Sequence, residues 1–272
     1  MSATEADRRP DERATAVLGL PEGLRDHLVS SGLAGEVATS PRDTLRNCGR
    51  LVSGDDDYTF GLDDWRSLTL REAVDAVRAV CGGDPGGAEV PDGPGWIDPD
   101  ATLRGIARHR DALAELAAAG GGRVLLATGH PTGLLGHYAA LARALQASGC
   151  DLLAPLDDTW LSTDSRGRRL GVRFVDGVGC VHDGASLRHT HRALFMEAML
   201  DVADDADLVI GDHGMAGAAV RRGIPTLSIA DVNDPALPVA QVRGRTDAVL
   251  PIDDNLAPRL FVPVTEAMLS WF

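Results

Sequence analysis

The sequence predicts an α/β fold: a mostly parallel, Rossmann-like sheet with helices on both faces, preceded by a helical N-terminal region. Three observations carry that prediction. Apolar runs at 123–128, 208–211 and 226–230 have the length and composition of buried parallel strands. The first two end in glycine turns that open helical patterns, and strand–helix alternation implies right-handed crossovers. Before residue 120 the apolar period is mainly helical.

The elements follow in order. Residues 21–33 form a short amphipathic segment. Ser40-Pro41 supplies an N-cap and a proline at the first helical position, opening a helix over 42–51. Leu70, Ala73, Val74, Val77 and Val80 lie at helical spacing and predict a helix over 63–80. The glycine- and proline-rich stretch from Gly82 to Gly95 reads as a loop. A long helix over 98–119 ends at Gly120-Gly121-Gly122. Strands are then expected at 123–128, 152–156, 170–175, 178–182, 208–211, 226–230 and 248–252, with a hairpin around Asp176-Gly177. Helices are expected at 132–148, 186–202, 215–222 and 256–271. The division is a helical region over 1–120, disordered over 1–13, and an α/β domain over 121–272 that carries the site.

Composition narrows the function. The formal charge is −14, from 40 acidic and 26 basic residues, and no lysine is present. Without lysine there is no P-loop and no Schiff base, so pyridoxal-phosphate chemistry is excluded. The acidic balance argues against a nucleic-acid partner, because phosphate neutralisation needs a basic surface. No apolar run approaches the roughly 20 residues that span a bilayer, and the polar N-terminus lacks a secretory core. A cytoplasmic location away from membranes is the expectation. Cys48, Cys81, Cys150 and Cys180 are far apart and read as core residues.

Two turns carry the chemistry. The first reads Thr128-Gly129-His130-Pro131-Thr132-Gly133. Glycine admits a ligand to the backbone, and the helix that follows offers N–H groups to an anion. Thr128, Gly129, Thr132 and Gly133 are therefore candidate phosphate contacts, and His130 a candidate acid/base. It is not Gly-x-Gly-x-x-Gly, so NAD is not expected. The second turn reads Gly211-Asp212-His213-Gly214. Its Gly211 and Gly214 are candidate substrate contacts, and Asp212 and His213 candidate catalytic residues. Asp212, Asp231 and Asn233 are oxygen ligands of the kind Mg²⁺ or Mn²⁺ prefers. Arg188 and Arg192, four residues apart on an expected helix, form a candidate phosphate clamp. His189 and His191 on that helix would face apart, unless its first turn is frayed.

The segment from Ala206 to Gly217 resembles the glycine turn in the donor half of two-domain glycosyltransferases. The longer segment from Ala127 to Asp231 resembles actinobacterial candidate phosphatases, mainly at Ala127-Thr128-Gly129-His130-Pro131-Thr132-Gly133 and Gly211-Asp212-His213-Gly214. A helical half before an α/β half is similar in architecture to the metal-dependent damage-control phosphatases. Those enzymes have an Asp-Asn pair at the first strand end, where this chain has Gly129-His130, so their ligands do not transfer to that position.

The expected function is hydrolysis of a small phosphorylated metabolite, with phosphate at the glycine turns and His/Asp or metal assistance. Two other readings stand beside it. One is a nucleotide-sugar or sugar-phosphate binding or transferase protein. The other is a non-catalytic partner protein, which requires the two histidine turns to face different surfaces.

Overall fold

The computed structural model describes residues 15–85 and 92–272. The expected disorder over 1–13 and part of the glycine–proline loop lie outside those residues. In chain order come α1 (Leu24–Ser31), β1 (Gly35–Val37), α2 (Pro41–Ser53), α3 (Asp56–Thr59), α4 (Leu70–Cys81), β2 (Gly95–Ile97) and α5 (Pro99–Ala118). Then follow β3 (Arg123–Thr128), α6 (Pro131–Ala147), β4 (Asp151–Leu152), β5 (Thr159–Thr163), β6 (Arg169–Val175), β7 (Val178–His182) and β8 (Leu187–Arg188). The chain closes through α7 (Leu194–Val202), β9 (Leu208–Asp212), α8 (His213–Arg221), β10 (Thr226–Ala230), α9 (Ala236–Val242), β11 (Val249–Pro251) and α10 (Val262–Met268).

Local chemistry sets the helix starts. Ser40 accepts the Asp43 N–H ahead of Pro41, and Asp98 accepts the Asp100 N–H ahead of Pro99. The helix expected over 63–80 begins only at Leu70. Thr69 and Glu72 form a reciprocal capping box there, and Asp64–Ser67 is a separate 3₁₀ turn.

The main sheet runs β11-β10-β9-β3-β7-β6-β5. From β11 to β7 the pairing is parallel, and β6 and β5 extend it antiparallel. The hairpin between β6 and β7 turns on Asp176 (φ 49°) and Gly177 (φ 82°), the two left-handed residues of a type I′ turn. β4 pairs with the start of β3, and β7 with its end, on the same side. β9 takes the other side of β3 and leads on to β10 and β11. The sheet order therefore reverses between β3 and β9, which is where open α/β sheets hold ligands.

Alternation along each strand feeds two cores. Val124, Leu126, Leu208 and Ile210 face one side, in a cluster with Leu28, Val77, Leu103, Ile106 and Leu141. Leu125, Ala127 and Val209 face the other, with Phe195, Met196, Met199 and Met215. The helices before residue 120 thus share a core with the sheet.

Four expectations are corrected. The segment 186–202 is not one helix: the Asp183 carboxylate accepts the Ala185 and Ser186 N–H groups, β8 pairs with β7, and helix begins at Leu194. The strand expected at 152–156 stops at Leu152, and Leu156 takes the left-handed conformation (φ 60°). The closing helix is broken into a 3₁₀ turn, Pro258–Phe261, and α10, each with a proline in its first turn. Finally, β1, β2, α3, β5 and α9 form where no element was expected.

Candidate active site

Four neighbouring parallel strands, β3, β9, β10 and β11, deliver the site at their carboxyl ends. After β3 come Gly129 and His130. β9 ends at Asp212 and passes directly into His213. Asp231 and Asp234 follow β10, and Asp253 and Asp254 follow β11. Asp212, Asp231, Asp234, Asp253, Asp254, His130 and His213 are all buried.

His213 is the hub. It opens α8 with φ 45°, in the left-handed region that costs a non-glycine residue about 1–3 kcal/mol. That conformation places its ring among three carboxylates. Nδ1 lies 2.9 Å from Asp212 Oδ2, and Nε2 lies 3.3 Å from Asp234 Oδ2 and 3.4 Å from Asp254 Oδ2. Burial disfavours its charge, but Asp234, Asp212 and Asp254 outweigh burial and hold its pKa well above the ordinary imidazole value. Phe60 meets the ring edge-on at 5.3 Å between centroids.

The His130 ring centroid is 5.9 Å from that of His213, so the two turns share one crevice. Its Nδ1 lies 3.3 Å from Asp254 Oδ1. Burial opposes charge on His130, and the adjacent Asp254 carboxylate more than compensates, raising its pKa. His189 stacks on His130 at 4.5 Å, and His191 stacks on His213 at 4.4 Å. The non-helical backbone at 187–191 allows both imidazoles to reach the site, which a regular helix would forbid. Burial, followed by the charges of His213, His130 and His191, lowers His189 to about 4.

The glycines of both turns are sites of close approach. A Cβ on Gly129 would stand 2.3 Å from the Thr190 carbonyl oxygen and 3.1 Å from His213 Nδ1. On Gly133 it would meet the Asp254 carbonyl at 2.3 Å, and on Gly214 the His191 carbonyl at 2.4 Å. One on Gly211 would stand 3.1 Å from the Ala127 carbonyl. The Gly129 N–H donates to Asp212 Oδ2 at 3.0 Å, tying the first turn to the second. Thr128 is buried, with its hydroxyl accepting the His130 N–H, whereas Thr132 is exposed at the start of α6.

Possible cation ligands fall into groups with ligand atoms within 4.8 Å of one another: Asp212, His213 and Asp254; Asp231, Asp253 and Asp254; and His130, His189 and His213. Asp212 and Asp231 thus lie in separate groups. The Asn233 backbone carbonyl accepts from the Asn47 side-chain amide. Arg188 and Arg192 do not share a helix face. Arg188 lies 3.6 Å from Asp183, and Arg192 donates to Asp57 at 3.1 Å.

Sequence reasoning missed Asp253 and Asp254, although a carboxylate at the end of an apolar strand is the signal that drew attention to Asp231. It also missed Thr39, whose hydroxyl donates to Asp231 Oδ2 at 2.6 Å from the loop after β1. No local signal marks that threonine.

The family described as Phosphatase matches residues 21–271. A Streptomyces coelicolor protein named Phosphatase SCO2771 is 37% identical over 256 residues, covering 91% of this chain and 94% of that protein. No solved structure matches the chain significantly. With one buried His/Asp crevice at the sheet's switch point and a family match across nearly its whole length, the chain belongs to the phosphatase family.

Proposed function

We propose that this protein hydrolyses the phosphate ester of a small metabolite in the crevice between His130 and His213, assisted by a divalent cation, Mg²⁺ or Mn²⁺. One observation carries the cation. Asp212 Oδ1 and Asp254 Oδ2 are buried side-chain oxygens without a hydrogen-bond donor. A buried carboxylate oxygen without a donor is costly, and a hard cation is the partner that oxygen ligands select. Asp212, His213 and Asp254 would hold it, with the imidazole releasing a proton to solvent as the ion enters. Such an ion would make a bound water more acidic and polarise a phosphoryl oxygen.

The chain's own residues do the rest. The N-terminus of α6, with the exposed Thr132 hydroxyl, receives phosphoryl oxygens. His130, with Nδ1 turned toward Asp254, has Nε2 left to protonate the departing oxygen. Asp212 fixes the Gly129 turn through the backbone N–H, keeping His130 in register with His213. His189, the most exposed of the four imidazoles, stands at the mouth.

The partner-protein reading needs the two turns on different surfaces, whereas their rings lie 5.9 Å apart. The test is phosphate release from p-nitrophenyl phosphate, sugar phosphates and nucleotides, with Mg²⁺, Mn²⁺ or EDTA. Release that stops in EDTA, and in Asp212→Ala, is the expected result. Thermal stabilisation by a nucleotide-sugar with no turnover of any phosphate ester would overturn it in favour of a binding or transferase role.

A further inference from the structure

Resting on that reading, we infer that the crevice holds two divalent cations rather than one, with the Asp254 carboxylate shared between them. The first site is Asp212, His213 and Asp254; the second is Asp231, Asp253 and Asp254. The two sets come from different strand ends and meet only at Asp254.

Charge is the first argument. Asp212, Asp231, Asp234, Asp253 and Asp254 are buried side by side. Among the described residues, the cationic groups paired with them are imidazoles, of His130 and His213, and no arginine reaches any of the five. Buried carboxylates at this density need compensation.

Geometry is the second argument. Asp254 Oδ2 is buried and has no hydrogen-bond donor, and Asp254 is the one residue common to both sets. A carboxylate has two oxygens and about four lone-pair sites, enough for two ions. The second set is also braced as a ligand set is. Thr39 donates to Asp231 Oδ2 at 2.6 Å, the Val232 N–H donates to Asp231 Oδ1 at 2.6 Å, and the Asn255 N–H donates to Asp253 Oδ1 at 2.9 Å. Such outer partners orient carboxylates toward a metal. Paired ions about 3.5–4 Å apart clamp the attacking and leaving oxygens of an in-line phosphoryl displacement.

The experiment is Mn²⁺ loading of the metal-stripped full chain, read by elemental analysis and electron paramagnetic resonance. Two ions per chain with a spin-coupled spectrum are expected, and Asp253→Asn should hold one uncoupled ion. Circular dichroism checks the variant's fold, and the wild-type stoichiometry stands without it. One isolated ion in the wild type overturns this inference and leaves the single-cation hydrolase intact. Two uncoupled ions overturn the sharing of Asp254, and with it the inference. No bound ion overturns both cation claims, and phosphate release in EDTA then decides whether a hydrolase remains.

Discussion

Thr39 donates its hydroxyl hydrogen to Asp231 Oδ2 at 2.6 Å, across 192 positions of sequence. The helical first part of the chain therefore builds the site as well as packing against the sheet. Removing this donor loosens Asp231. Thr39→Val should weaken Mn²⁺ affinity by about 10–100-fold, the usual effect of losing an outer partner of a metal ligand. Isothermal titration measures it, and an unchanged affinity would separate Asp231 from any ion.

Gly129 has no room for a side chain. A Cβ there would lie 2.3 Å from the Thr190 carbonyl and crowd His213 Nδ1. Gly129→Ala should cost about 1–3 kcal/mol, as overpacking does. It should also lower phosphatase turnover, because the segment that presents His189 must shift. Urea unfolding and steady-state kinetics test both effects.

His130 as general acid predicts a leaving-group signature. His130→Ala should slow hydrolysis of an alkyl phosphate by about 10²–10⁴-fold, while p-nitrophenyl phosphate, with its better leaving group, loses far less. Equal losses on the two esters would assign His130 to binding rather than proton transfer.

Two histidines outside the crevice set the acid limit of stability. Burial lowers His109 to about 4 and His137 to about 3. His109 donates from Nε2 to the Ala248 carbonyl, and His137 Nδ1 bonds the Thr265 hydroxyl. Both stay neutral in the native chain, whereas an unfolded imidazole takes a proton near pH 6.5. The unfolded state binds more protons below that value, so stability falls from about pH 6.5 toward pH 4. At about 1.4 kcal/mol per unit, His109 alone accounts for a loss of about 3 kcal/mol at the lower end. Unfolding measured from pH 7 to 4 should show this slope, and His109→Gln should flatten it.

Metal removal should lower thermal stability. Binding to the native state alone stabilises by about 2.7 kcal/mol at 100 times the dissociation constant. EDTA should therefore lower Tm, and Mn²⁺ should restore it. A Tm indifferent to both would argue against a cation among the five aspartates.

The sequence alone determined the α/β class, the two glycine–histidine turns and the likeness to phosphatases. These are written locally, in apolar runs of strand length, in glycines at strand ends, and in two short motifs. The hairpin at Asp176-Gly177 was legible for the same reason: its turn chemistry lies in two adjacent residues. Only the tertiary structure decided that Asp254 stands between His130 and His213, that Thr39 reaches Asp231, and that His189 and His191 both enter the crevice. The order β11-β10-β9-β3 brings four distant strand ends to one edge, and no local pattern encodes strand order. The segment 186–192 reads as a helix from its own residues. Its pairing with β7 and the Thr190 N–H bond to the Gly129 carbonyl override that preference, because long-range backbone hydrogen bonds outweigh a weak intrinsic propensity.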